Sequence, residues 1–120
     1  MYVPEGGQPD RPAILVLSCG LGPIENAVLA GIEEEGVPYV IERTDGTEDA
    51  DGLAHRAAHR SSLSVGVGID CHGCVSVHHE QLAEPLSGLS SSTAADPMSA
   101  RMLGHNAARI VVGIPLRGVR

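Results

Sequence analysis

Three consecutive glutamates, Glu33-Glu34-Glu35, close an amphipathic run near the front of the chain. Carboxylates are hard oxygen donors for cations, and they also pair with basic surfaces. Their position is unfavourable, because a helix C-terminus is the negative end of the macrodipole and an acid there costs roughly 0.3–1 kcal/mol. Two readings follow: a solvated, salt-screened helix end, or a carboxylate offered to a cation or to a basic partner. At about 100° per residue Glu33 points away from the apolar stripe and Glu34 lies at its edge. Glu34 is therefore the candidate for a site on a rim. Cys71 and Cys74 form a Cys-x-x-Cys spacing, with His72 inside it and His78 and His79 close by. Such groups could hold Zn2+, but a zinc ribbon needs a second ligand pair, which is missing. A redox pair should sit at a helix N-terminus, whereas this one falls in a tight turn. Reduced bystander thiols are the expectation, with a metal site and a redox pair as alternatives. His55 and His59 stand at i, i+4 and could share a metal, but no third ligand lies between them, so an exposed polar face is expected.

The elements that position these residues follow from pattern. Residues 13–18, AILVLS, form a continuous apolar run suited to a strand buried on both faces. A helix is predicted within residues 22–38. Pro23 takes the first helical position, Ile24, Ala27, Val28, Gly31 and Ile32 make one face, and Gly36 and Pro38 stop it. The preceding turn, Cys19-Gly20-Leu21-Gly22, lacks the glycine spacing of a dinucleotide fingerprint and reads as a strand-to-helix turn. A short strand is expected over 39–42. The acidic stretch 44–52 lacks EF-hand order and reads as a loop ending in an N-cap at Asp49 or Asp51, before a helix over 52–60. Residues 64–70 alternate, with Val65, Val67 and Ile69 on one face and Gly66 and Gly68 on the other, under a closely packed helix. Residues 74–78 return as the second arm of a hairpin, so the sheet must be mixed. A short helical piece over 78–82 and a brief edge strand over 86–90 are expected next. Asp96 and Pro97 then open a last helix over 98–112, with Ala100, Leu103, Ala107, Ile110 and Val111 buried and Arg101, His105 and Arg109 outward.

The chain of 120 residues is expected to hold a flexible N-terminal lead, 1–12, and one α/β domain, 13–117. Its architecture is three layers, with a mixed sheet of four or five strands and helices on both faces. All eight basic residues are arginine and the net charge is −7, which disfavours nucleic acid and anionic membrane as partners. With two Tyr and no Phe or Trp, base stacking has little to work with and the core must be aliphatic. The N-terminus lacks the order of a signal peptide, no run has the length of a membrane span, and three cysteines make no disulfide framework. A cytoplasmic protein is expected. No nucleophile–base pair, carboxylate cleft or phosphate loop emerges from the residues.

Four stretches together resemble a known family. They are GIEEEGVP at 31–38, SSLSVGVG at 61–68, Val77-His78-His79, and GHNAARIVVGIP at 104–115. Their order and spacing over about 12–117 are similar to the small subunit of the diol/glycerol dehydratase reactivating factor, itself similar to the dehydratase medium subunit. The resemblance implies an anticodon-binding-domain-like fold and no catalysis by this chain. It implies a partnership with a large, chaperone-like ATPase subunit, and release of damaged cobalamin from inactivated dehydratase by exchange of subunits with the dehydratase. It also implies that Glu34 reaches a Mg2+ shared with the large subunit, no cofactor being bound by this chain alone. Association with a bacterial microcompartment is left open. The alternatives are a medium-type subunit of the cobalamin-dependent dehydratase itself, and a free-standing metal or thiol protein using Cys71 and Cys74.

Overall fold

A computed structural model describes residues 12–20, 22–81, 89–91 and 93–113. The elements run β1 (Ile14–Ser18), α1 (Pro23–Glu34), β2 (Tyr39–Arg43), α2 (Ala50–Arg60), β3 (Val65–Ile69), β4 (Val75–His79) and α3 (Pro97–Val112). The sheet has the order β2-β1-β3-β4. β1 pairs in parallel with β2 and β3, and β4 returns antiparallel to β3, with Val67 opposite Val77. This is the mixed α/β sheet read from the sequence, with four strands among the described residues. The free side of β4 meets residues 89–91, where Val77 N donates to the Leu89 carbonyl and Ser76 bridges Ser90. The edge strand expected over 86–90 is thus met only at its end. Residues 86–88 lie outside the described residues, as do the N-terminal lead up to residue 11 and residues 114–117. The helical piece expected over 78–82 is replaced at its start, because His78 and His79 complete β4.

Strand alternation sorts the side chains onto two faces. Ile14, Val16, Val65, Val67, Ile69, Val75 and Val77 meet Val28 and Ile32 of α1 and Ala100, Leu103 and Ala107 of α3. Leu15 and Leu17 point the other way, to Leu53 and Ala57 of α2. The aliphatic core is thin on the α2 side because Gly66 and Gly68 lie there: a Cβ on either would stand 2.2 Å from a backbone atom of α2. The same device joins α1 to α3. A Cβ on Gly31 would lie 2.2 Å from the Arg101 carbonyl oxygen, and one on Gly104 would lie 2.1 Å from that of Val28. The two helices therefore touch backbone to backbone.

The caps explain the boundaries. Pro23 opens α1, and Gly36, at φ 77°, ends it in the left-handed region that glycine enters without strain. Asp49 caps α2 by accepting from Gly52 N at 2.8 Å, which starts the helix two residues before the predicted 52. Asp96 caps α3 in the same way through Ser99 N at 2.7 Å. In the acidic loop, Asp45 accepts from Thr47 N and Oγ1, so its carboxylate organises a turn. No helix among the described residues is long and apolar enough to cross a membrane.

Candidate functional site

The glutamate triplet is held by α3. Because Gly31 and Gly104 bring the helix backbones together, the last turn of α1 faces Arg101, His105 and Arg109, one turn apart on α3. Arg101 grips Glu34 with both ends of its guanidinium, Nη2 on Oε2 and Nε on Oε1, the latter at 2.9 Å. His105 Nε2 lies 2.6 Å from Glu34 Oε1, while its Nδ1 lies 2.7 Å from Glu35 Oε2. Arg109 Nε donates to the same Glu35 oxygen at 2.9 Å. Only a doubly protonated imidazole can donate to both carboxylates at once. Hydrogen bonds first from His105 and then from Arg109 hold the Glu35 carboxyl below the usual carboxylate range. Glu33 accepts from the Tyr39 hydroxyl at 2.7 Å. Burial, followed by that carboxylate, pushes the Tyr39 phenol up to about 12.

The solvated-end reading of the triplet is thereby revised. The acids are not merely solvated: each has a partner within the chain, and two of the three face cations on α3 that offset the helix dipole. Glu34 does lie on the rim, exposed beside an exposed Arg101, whereas Glu35 is largely covered. His105 was expected outward with Arg101 and Arg109. It is only 8% exposed, because the glycine contact draws it between the helices. Ile110 and Val111, expected in the buried stripe, are only partly buried; Gly104, Asn106 and Ala108 are buried instead. The spacing of Arg101, His105 and Arg109 was visible in sequence. Their register against α1, set by two glycines 73 positions apart (31 and 104), was not.

The thiols also require correction. Cys71 is bonded to Cys19, so reduced bystander thiols and a Cys71–Cys74 ligand or redox pair are both replaced. Cys19 follows β1 and Cys71 follows β3, and parallel pairing sets these strand ends side by side. Cys74 is the free cysteine, and burial with nearby Asp70 pushes its thiol up, away from reactivity. The pair lines a cleft of about 240 Å³ with Ile24, Glu25, Ile69 and Asp70 at the strand ends. Glu25 is 4% exposed and tied to Arg43 of β2 by two hydrogen bonds, one at 3.0 Å. Burial opposes its charge, but the bonds from Arg43 win and hold its carboxyl below the ordinary range. Nothing local in the sequence marks that pair.

No three His, Cys, Asp or Glu side chains among the described residues converge on a single point as they stand. Glu34 is one carboxylate on a rim, with Arg101 and His105 as its partners within the chain.

A sequence profile described as dehydratase medium subunit matches residues 11–117. The chain belongs to that family. Within the dehydratase medium subunit family it is similar to the propanediol dehydratase-reactivating factor small subunit of Citrobacter freundii, at 38% identity over 88% of this chain and 90% of the relative. It is similar to the diol dehydratase-reactivating factor small subunit of Klebsiella michiganensis at 37% identity, over 92% of this chain and 88% of the relative. A solved structure of diol dehydratase-reactivating factor complexed with ADP and Mg2+ superposes with a TM-score of 0.74 at 35% identity. It covers 90% of this chain and 99% of the other. A glycerol dehydratase reactivase gives a TM-score of 0.78 at 32% identity, covering 88% and 96%. The family resemblance read from the sequence and the α/β fold it implied are both met.

Proposed function

We propose that this chain is the small subunit of a reactivating factor for a diol or glycerol dehydratase. It pairs with a large ATPase subunit, carries out no catalysis itself, and enters the release of damaged cobalamin by exchanging subunits with the dehydratase. The observation that carries this reading is likeness in sequence: reactivating-factor small subunits match at 37–39% identity over most of both chains. The family profile carries the name of the dehydratase medium subunit, which keeps that subunit as the second reading. It fits less well, because the curated relatives that match are reactivating-factor subunits of nearly this length. The described residues offer no cysteine pair for a free-standing thiol or metal protein, since Cys71 is joined to Cys19. The proposed site of action is the cytoplasm.

Glu34 is the residue proposed to reach a Mg2+ shared with the large subunit. The donor chemistry fits: a carboxylate on an exposed rim, with Mg2+ keeping waters and ligands from the partner side. For this chain the step is local. Arg101, itself exposed, must withdraw from Glu34, as must His105 Nε2, while His105 Nδ1 keeps its hold on Glu35, so α1 stays docked while one carboxylate is freed. Affinity for the large subunit, measured with and without Mg2+, tests this. Glu34→Gln should weaken assembly and remove its Mg2+ dependence, while Glu33→Gln should do little. If the two variants behave alike, or the wild type ignores Mg2+, Glu34 is a structural acid and the site assignment falls.

A further inference from the structure

The opposite face of the molecule holds a cluster that the reading above does not use. His55 and His59 stand one turn apart on the exposed side of α2, and their ring centres are 4.7 Å apart. The fold brings a third imidazole to them. His78 lies on the α2 face of β4, opposite Gly66. Its ring centre is 4.6 Å from that of His55. His78 is only 7% exposed, and its Nε2 is buried without a hydrogen-bond partner. Such an orphan polar atom is uncommon and calls for an account. Glu80, just beyond β4, puts Oε1 3.5 Å from His59 Nδ1. A carboxylate on one ring nitrogen leaves the other to bind metal, a common arrangement around ligating histidines.

The spacing suits coordination although the present ring orientations do not. Two imidazoles on one tetrahedral ion at a metal–nitrogen distance of about 2.1 Å have ring centres about 5 Å apart. The separations of His55 from His59 and from His78 are close to that. The rings are tilted at 56° and 42°, and their nitrogens do not yet meet at one point. His78 is fixed by burial, but His55 and His59 are exposed, and exposed side chains change rotamer within nanoseconds. His79 is set aside, because its Nδ1 accepts from Gln81 N.

The geometry points to a site for one borderline divalent transition metal, of the Zn2+ class, held by His55, His59 and His78, with Glu80 orienting His59 and water as the fourth ligand. Three imidazoles select Zn2+, Co2+, Ni2+ or Cu2+ over Mg2+ or Ca2+, so the site is separate in chemistry as well as position from Glu34. Its effect would be to clamp α2 onto β4.

Calorimetric titration of the untagged full chain with Zn2+, and the visible spectrum of the Co2+ form, test this. One equivalent should bind, the Co2+ form should show tetrahedral absorption, and the imidazole nitrogen resonances of His78 should move with Zn2+. His55→Ala and His59→Ala should each weaken binding by at least about tenfold. His72→Ala, outside the cluster, should change nothing. The proposal is overturned by absence of saturable binding below about 1 mM, by unchanged affinity in both variants, or by a His78 resonance that stays in place. The resonance keeps the third ligand testable should a His78 variant not fold.

Discussion

Gly104→Ala tests the backbone contact that puts the glutamates in front of their cations. The new Cβ would lie 2.1 Å from the Val28 carbonyl oxygen, 2.9 Å from its carbon and 3.2 Å from Ile32 N. All three atoms are backbone, so no side chain can swing away, and α1 must retreat from α3 by about 1 Å to restore van der Waals contact. Overpacking costs about 1–3 kcal/mol, and about 2–3 kcal/mol is expected here because every atom met is backbone. Alanine recovers about 1 kcal/mol over glycine within a helix, so a net loss of about 1–2 kcal/mol is expected. With a slope of about 1.5–2 kcal/mol per molar urea, the unfolding midpoint should fall by about 0.5–1.3 M. Gly20→Ala is the control, because a Cβ there meets nothing within 4 Å and should stay within about 0.5 kcal/mol of the wild type. The pairs to Glu34 and Glu35 should loosen as well, visible as a rise in the Glu35 carboxyl titration seen by NMR. A Gly104→Ala protein as stable as wild type or more so would refute the contact.

Cys19→Ser should destabilise the domain by about 2–4 kcal/mol, as should reductant on the wild type, whereas Cys74→Ser should be nearly silent; denaturant melts and thiol alkylation check this, and alkylation of all three cysteines in unreduced native protein would remove the Cys19–Cys71 bond from the account. Stability should decline on acidification below about pH 4.5. Glu25 and Glu35 titrate below their ordinary value when folded, so the unfolded chain takes up protons first; the contribution is complete above the unfolded value and disappears as pH falls through the folded ones. Glu25→Gln should flatten that acid limb of the pH–stability curve, and an unchanged limb counts against the Arg43 pair. The isolated homogeneous chain should hydrolyse no ATP, and measurable turnover would contradict its role as a non-catalytic subunit.

Much of the fold was readable because its signals are local. AILVLS has the continuous apolar character of a strand covered on both sides, and β1 is buried along its whole length. Gly66 and Gly68 announced a helix packed over β3, and α2 lies there. Asp96 announced a cap and serves as one, and of the two candidates Asp49 and Asp51 it is Asp49 that caps α2. The site was legible in one half. Glu34 could be placed on a rim from helix phase alone, but its partners Arg101 and His105 lie 67 and 71 positions later and depend on how two helices cross (101 − 34 and 105 − 34). The cysteines show the same limit. The Cys71–Cys74 spacing drew attention to a local pair, while the parallel register of β1 and β3 joined Cys71 to Cys19, 52 residues away. His78 likewise becomes a neighbour of His55 only through the β3–β4 hairpin.

The central claim is that this chain completes a reactivating factor. Its most direct test is recovery of activity by a diol or glycerol dehydratase carrying damaged cobalamin, incubated with ATP, Mg2+ and the large ATPase subunit, with and without this chain. Damaged cobalamin should be released and activity should return only when the chain is present, and the chain should then be found bound to the dehydratase. Equal recovery without it, or its incorporation as a permanent part of an active dehydratase, would contradict the account.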